Sequence, residues 1–566
     1  MKKKMFQKAG LIGLATLLTL SMVGCSTDEP GSSEAGPTNL TIYTQSTTYE
    51  GAVGGYMSKV MKDKLNVSLN VMPNSVGGSS RFETKLATGD LGDLVLFTSS
   101  DDFKKAIEAG SVLDLKEDLG QLPNVSRFNE AVARMESSFG GVYGIPTGVS
   151  NANEVTQIDP VAIPSLRFDY YEELGTPEIQ DYWDYYDVIE QMVKAHPTTE
   201  SGDKFYGMSL FSEWDGRSVN MAKQIAPSYG YTTTDGVNNY DFIMPHGTED
   251  KIERILDDNS YYLQALKWYN KFYQNGMLDE DSVSQTWEDY LAKANKGQSA
   301  LWVYGYMGTL NFNPTNPELV KEGKGYKRIP FANLTAAEAK TSTVGSRWFW
   351  AISSTTKDKE AAMEVLDYFY SDEGALNYHL GPEGLFWELD STGKPVLTEL
   401  GKSPVDTAVP AEFGGGKVGD TFKYMFNGAA QDENTISPIL NAPMNKTTWN
   451  SYLQDNAELL DQNWTKHYGG VLSAKEYLIQ NNMLASYSIV NVPNYKYDDQ
   501  LAVKRDQVGE IIKELSWKMI YAKNDSEFES LKAEMVQKAK SLGYDECVDF
   551  EEQAANVWFE ARKAAR

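Results

Sequence analysis

The chain has 566 residues and carries 79 acidic against 52 basic side chains, for a formal charge of −27. That balance argues against nucleic-acid binding, which draws its affinity from basic side chains on phosphates, and it leaves no polybasic patch for a membrane surface. With only two cysteines, Cys25 and Cys547, there is no disulfide framework, so the fold rests on its core, and its length suggests two large lobes instead of one.

Lys2, Lys3, Lys4 and Lys8 precede an uncharged apolar run from Ala9 to Val23, the layout of a secretory signal over 1–24. The run is too short for a spanning helix. It ends at Met22-Val23-Gly24-Cys25, which resembles the lipobox of bacterial lipoproteins, although Met22 departs from the usual Leu. The resemblance implies that Cys25 becomes a lipidated first residue and places the chain on the extracellular face of the cell membrane. Losing the four lysines would take the net charge from −27 to −31. Residues 25–38 are Ser, Gly, Pro, Asp and Glu for the most part and read as a flexible tether.

Asn39 to Thr44 alternates as a first strand, Tyr49 to Leu65 reads as a helix, and Val67 to Met72 alternates again. A short helix from Phe82 to Ala87 closes at Gly89. Leu94 to Phe97 is a continuous apolar run, as in a strand buried on both faces. Ser100 to Asp102 opens a helix carrying Phe103, Ala106 and Ile107, stopped by Gly110. Strands alternating with helices predict right-handed βαβ units. In such sheets ligands sit beyond the carboxyl ends of the strands, which makes Gln45 and Ser99 candidate contacts. Further along, Tyr206 to Leu210 and Ser299 to Tyr304 read as strands and Tyr261 to Tyr273 as a helix. Arg347 to Ser353 and Lys357 to Tyr370 repeat the strand-helix signature. Two amphipathic helices end the chain. One places Val508, Ile511, Ile512, Leu515 and Met519 on one face; the other places Phe528, Leu531, Met535 and Leu542.

Several segments resemble the extracellular solute-binding proteins of family 1, the carbohydrate-binding components of ATP-driven importers. Leu86-Ala87-Thr88-Gly89-Asp90 followed by Asp93-Leu94-Val95 is similar to a family segment in which proline stands where this chain has Gly92. Val142-Tyr143-Gly144-Ile145-Pro146 resembles the motif at the first lobe crossing. Ala351-Ile352-Ser353 with Lys357 to Gly374 resembles the late strand-helix segment. Gly381-Pro382-Glu383-Gly384, Trp387 to Asp390 and Gly393 to Val396 are similar to a stretch of the large lipoprotein branch.

The resemblance implies an α/β, periplasmic-binding-protein-like fold: two α/β lobes joined by a hinge, with a ligand cleft between them. One lobe is expected from 39–148 and 344–378, the other from 149–343 and 379–566. The sequence does not place 500–566. The implied role is a monomeric substrate-binding lipoprotein that delivers a carbohydrate, an oligosaccharide above all, to the permease subunits of an ABC transporter, without catalysis. The alternatives are a surface glycoside hydrolase or lyase, or the same fold with a non-sugar ligand such as a peptide.

Sugars present hydroxyls for polar contacts and a ring face for stacking, so a site needs Trp or Tyr beside charged groups. The balance of 33 Tyr and 12 Trp against 22 Phe suits that chemistry. Three stretches offer the mixture: Trp214, Asp215 and Arg217; Trp302, Tyr304 and Tyr306; and Arg347, Trp348 and Trp350. Trp387 is a further candidate. No Walker loop, His-Glu-x-x-His, Gly-x-Ser-x-Gly or paired CxxC occurs. His196, His246, His379 and His467 are dispersed. Where relatives often carry a loop resembling a calcium site, His196 to Lys204 lacks carboxylates at alternating positions. No metal and no cofactor are expected.

Overall fold

Leu94 and Leu96 pack on one face of a sheet, Val95 and Phe97 on the other. The run Leu94–Phe97 is therefore a strand covered on both sides, which is why it has no polar alternation. The computed structural model describes residues 36–47, 49–74, 78–420, 428–493 and 495–564. The expected signal, Cys25 and most of the tether lie outside the described residues.

The first sheet has six strands in the order Gly51–Ala52, Val67–Pro73, Thr38–Thr44, Leu94–Phe97, Phe349–Ile352, Ile145–Pro146. Thr38–Thr44 runs parallel to Val67–Pro73 and to Leu94–Phe97, with Leu40 opposite Leu69 and Tyr43 opposite Val95. The late strand Phe349–Ile352 enters antiparallel between Leu94–Phe97 and Ile145–Pro146. The tie between the first and fourth strands uses Gly92. Its φ of +70° lies outside proline's reach, and a Cβ there would sit 2.8 Å from the Thr41 carbonyl oxygen. This close approach lets the Asp93 carboxylate accept the Thr41 N–H at 2.8 Å while its own N–H donates to the Thr41 carbonyl at 2.8 Å. The helix expected from Tyr49 starts instead at Gly55. Gly51, Gly54 and Gly55 disfavour an early helical turn, and Gly51–Ala52 pairs antiparallel with Val67–Pro73.

The second sheet has four strands, Tyr326–Arg328, Ser165–Arg167, Ser299–Trp302 and Tyr206–Met208, with the last two parallel. Its core takes in Tyr262, Trp268 and Phe272 of the helix Tyr261–Gln274. It also takes in Val508, Ile512, Leu515 and Met519 of Asp499–Ile520, and Phe528 and Met535 of Asp525–Ser541. The terminal helices thus share one core with the second sheet. A stretch assigned to that lobe from sequence packs elsewhere: Leu385, Phe386, Val409 and Ala430 join the core of the first sheet. The chain crosses between the sheets three times, and the crossings lie side by side. The Ser150 N–H donates to the Ser342 carbonyl at 2.8 Å and the Val149 N–H to the Ala430 carbonyl at 3.0 Å. Glu154 ties all three, since its N–H donates to Thr341 Oγ1 and its carboxylate accepts the Ile436 N–H at 2.9 Å. The loop expected to lack a metal is held by ionic contacts, with the buried Arg167 guanidinium against Glu200 and Asp169.

A third terminal helix, Tyr544–Ala564, escapes the apolar pattern because two of its buried positions are charged. Glu551 is 2% exposed and accepts the N–H groups of Asp241 at 2.8 Å, Phe242 at 2.9 Å and Ile243 at 3.2 Å. Burial pushes its carboxyl up to about 7. Arg562 donates to the carbonyls of His246, Gly247 and Glu249. The two charges thus hold opposite ends of the 241–249 segment. Glu551→Ala strands three buried donors and should destabilise by on the order of 3 kcal/mol, visible as a lower thermal midpoint. An unchanged midpoint would show that water replaces the carboxylate.

Candidate functional site

The carboxyl end of Tyr206–Met208 leads into Phe211-Ser212-Glu213-Trp214, and that of Ser299–Trp302 into Tyr304 and Tyr306. The two loops meet in a set of aromatic rings. Trp214, 43% exposed, stacks on Trp287 with centroids 4.5 Å apart and planes 20° apart. Its edge meets Phe211 at 5.0 Å and Tyr304 at 5.8 Å, and Tyr304 lies 5.6 Å from Tyr306. Trp287 opens the helix Trp287–Asn295 behind Thr286, which caps that helix reciprocally with Asp289. Glu213 holds it by accepting the Trp287 N–H at 2.6 Å. The sequence reading missed Trp287, although the Thr286-x-x-Asp289 capping signature marks it as the first helical residue.

Asp215 and Arg217 fall beside this shelf, but their polar atoms are committed to protein partners. Asp215 accepts the indole N–H of Trp517 and the backbone N–H of Asn220, each at 2.7 Å. Arg217 donates to Asp506 through Nε at 3.0 Å and Nη2 at 2.5 Å, with Asp241 3.7 Å away. Both side chains therefore lash the Trp214 loop to the helix Asp499–Ile520, and the expectation that they bond ligand hydroxyls gives way to that role. A cavity of about 280 Å³ adjoins them, lined by Trp214, Asn220, Lys223 and Asp241 among others.

On the first sheet, Gln45 and Ser99 sit at the carboxyl edge as expected of loop residues there. Gln45 donates to Asp102 at 2.7 Å and accepts the Thr98 N–H at 3.1 Å. Ser99 caps the helix Ser100–Glu108 by accepting the Asp102 N–H. Arg347 is exposed and Trp348 half-buried at the entry of the late strand. The remaining candidates are core. Trp302 is fully buried, edge-on to Tyr290 at 5.1 Å. Trp350 is fully buried and donates to the Gly428 carbonyl at 2.8 Å. Trp387 is buried in a hairpin and donates to the Gly381 carbonyl at 2.8 Å. Spacing by two puts Trp302 and Tyr304 on one side only while a strand continues, and this strand ends at Trp302. Trp350 sits in a strand covered on both faces, where alternation exposes nothing.

A second cavity, of about 440 Å³, opens between Ser100, Lys104, Arg134 and Arg347 of the first lobe and Val237 and Asn491. Arg134 is almost fully buried and donates through Nη1 to the carbonyls of Val344, Gly345 and Ser346 at 2.9, 3.2 and 2.7 Å.

Two α/β lobes, three adjacent crossings and polar, aromatic walls at the strand ends define a periplasmic-binding-protein-like fold. The chain belongs to the bacterial extracellular solute-binding protein family, whose model matches residues 48–376. It is 23% identical over 306 residues to Lipoprotein LipO of Bacillus subtilis strain 168, covering 52% of this chain and 56% of that protein. It is 26% identical over 141 residues to an uncharacterized protein in the butB 5′ region of Niallia circulans, covering 24% of this chain and 54% of that one. The chain spans about half the length of these curated relatives. Among solved structures it resembles a solute-binding protein of Bifidobacterium longum infantis described as HMO binding and ABC-transporter associated. The TM-score is 0.57 at 15% identity, over 93% of this chain and 99% of that one. It also resembles the S. pneumoniae ABC-transporter substrate-binding protein FusA in complex with kestose, with a TM-score of 0.56 at 15% identity, over 92% and 99% of the two chains. At these identities the likeness establishes the fold. No helix among the described residues is long and apolar enough to cross a membrane.

Burial raises the Asp215 carboxyl from 3.8 to about 6, against the opposing pull of its Asn220 and Trp517 donors. The folded chain thus holds this proton to higher pH than the unfolded chain. The associated stability is complete below 3.8 and is lost as pH rises through about 6. Asp215→Asn, which removes the titrating group and keeps one of the two acceptor oxygens, should start from a lower thermal midpoint but show a shallower fall of it than wild type across that window. Parallel profiles would contradict the assignment.

Proposed function

We propose that the protein is the substrate-binding lipoprotein of an ABC importer and that it captures an oligosaccharide for the permease. The observation that carries this reading is the Trp214 shelf, a large exposed indole held rigid by Trp287 beneath it. A stiff aromatic face beside Tyr hydroxyls suits a hydroxylated ring, which is apolar on its faces and polar at its rim. Neighbours in fold that are described as HMO binding, as alginate-binding and as complexed with kestose lend support at the level of shared fold. In this reading Trp348 and the Gln45 and Ser99 loops form the facing wall. The first lobe is 39–148 and 344–378 with Leu385, Phe386, Val409 and Ala430, which pack on its core, and the second lobe is the remainder. The lobes close on ligand by bending the three crossings. The protein acts as a monomer and releases no product.

The anchor is part of the proposal. Cys25 is the lipidated first residue of the mature chain, and two or more acyl chains hold it stably at the membrane. The relative LipO is named a lipoprotein. Mass spectrometry of the native N-terminus should find an acylated Cys25; an unmodified Cys25 would refute the anchor.

Trp214→Ala should weaken binding of the tightest member of an oligosaccharide panel by roughly thirtyfold, equivalent to about 2 kcal/mol. Its thermal midpoint should stay near that of wild type, because the indole is 43% exposed. Calorimetry and a melting curve on the same sample read both quantities. Unchanged affinity in a well-folded variant would remove Trp214 from the site, and steady release of shortened glycan would favour a hydrolase.

A further inference from the structure

The 440 Å³ cavity brings together three cations that have no acidic partner among the described residues. Lys104, Arg134 and Arg347 line it. Among the described residues, no aspartate or glutamate lines it and none forms an ion pair with any of the three. This is unusual in a chain with 79 acids, in which most lysines and arginines are matched. Arg134 is the most telling. It is buried, its guanidinium carbon lies 5.9 Å above the Phe349 ring, and only carbonyl oxygens meet its Nη1. Burial, and then the nearby charge of Arg347, hold its pKa down at about 10. Carbonyls solvate a cation without neutralising it, and a buried charge left without a counter-charge is costly. The hydroxyls of Ser100, Ser137 and Ser138 add donors around the same space, and Asn491 donates to Ser137 Oγ at 3.3 Å from the opposite side.

We propose that this cavity receives an anionic group, a carboxylate or sulfate ester, carried on the saccharide ligand, so that the protein selects acidic over neutral oligosaccharides. Arg347 supplies a planar donor fork that suits a two-oxygen anion, Arg134, whose Nη1 is held by carbonyls, adds its positive charge behind it, and Lys104 adds a mobile point charge. The acidic surface elsewhere repels anions in general, so the selection is local to the cavity. The inference rests on the saccharide reading for the body of the ligand, and on Lys104, Arg134 and Arg347 alone for its charge.

The test is calorimetry with full-length mature protein. The probes are inorganic sulfate, free glucuronate, and matched pairs of oligosaccharides, each neutral compound beside its uronate-bearing and sulfate-bearing counterparts. Arg347→Gln is the main variant, because Arg347 is exposed and unpaired and its loss leaves the fold intact; Lys104→Gln is the second. The acidic member of a pair should bind at least about tenfold tighter than the neutral one, and each variant should lose about tenfold for the acidic member only. The uronate and sulfate arms separate the two anion chemistries. Equal binding of neutral and acidic members, or acidic binding unchanged in both variants, overturns the anion site and leaves the saccharide reading standing. Arg347-dependent binding of sulfate or glucuronate with no oligosaccharide bound keeps the anion site and overturns the saccharide reading. No binding of any probe overturns both.

Discussion

The indole N–H of Trp517 on Asp215 is the contact around which the aromatic shelf beside the second sheet is arranged. Asp215 is the residue after Trp214, so fixing its carboxylate fixes the direction of the exposed indole. The same carboxylate accepts the Asn220 N–H, and the Asn220 side chain in turn donates to the Trp214 carbonyl and accepts from Tyr304. One half-buried acid thus sets the loop after one strand against the loop after another. Arg217 and Asp506 repeat the tie one turn away, at the surface, where an ion pair contributes little on its own. A preorganised aromatic platform loses less freedom on binding than a mobile one, which gives the long terminal helices a purpose beyond covering the second sheet.

The strand–helix alternation of the first lobe was legible because a parallel sheet demands it: continuous apolar runs, short breaks and helices of matching length. Leu94–Phe97 and Phe349–Ile352 fall where pattern placed them, and so do the faces of the helices at 508–519 and 528–535. The third terminal helix was not legible, because its buried Glu551 and Arg562 read as solvent positions in a hydropathy pattern. Their role depends on backbone groups about 310 residues away in sequence. The site was legible in kind and only partly in detail. Aromatic residues next to charges singled out Trp214, an exposed indole stacked on Trp287, yet the charges beside it satisfy protein partners. Trp302, Trp350 and Trp387 showed the same local chemistry and are core, because local sequence does not encode where a strand stops or what covers its second face.

Charge is distributed with a corresponding asymmetry. Acidic side chains outnumber basic ones along the chain, and basic ones are mostly consumed in pairs, as in Arg254 with Glu552 and Lys359 with Asp118. Lys104 and Arg134 come from the helices Ser100–Glu108 and Asn129–Phe139, and Arg347 from just before the strand Phe349–Ile352; the three line one cavity. Stacking on one lobe and charge on the other would give a ligand two kinds of contact, each incomplete until the hinge closes.

The central claim is that a saccharide lies on Trp214. Fluorine NMR of protein labelled with fluorotryptophan reads it most directly, since the resonance of Trp214 can be assigned by its loss in Trp214→Phe. On addition of a saccharide shown by calorimetry to bind, the account predicts a shift of the Trp214 resonance, with the buried Trp302, Trp350 and Trp464 unmoved. A bound saccharide that leaves the Trp214 resonance in place would contradict it.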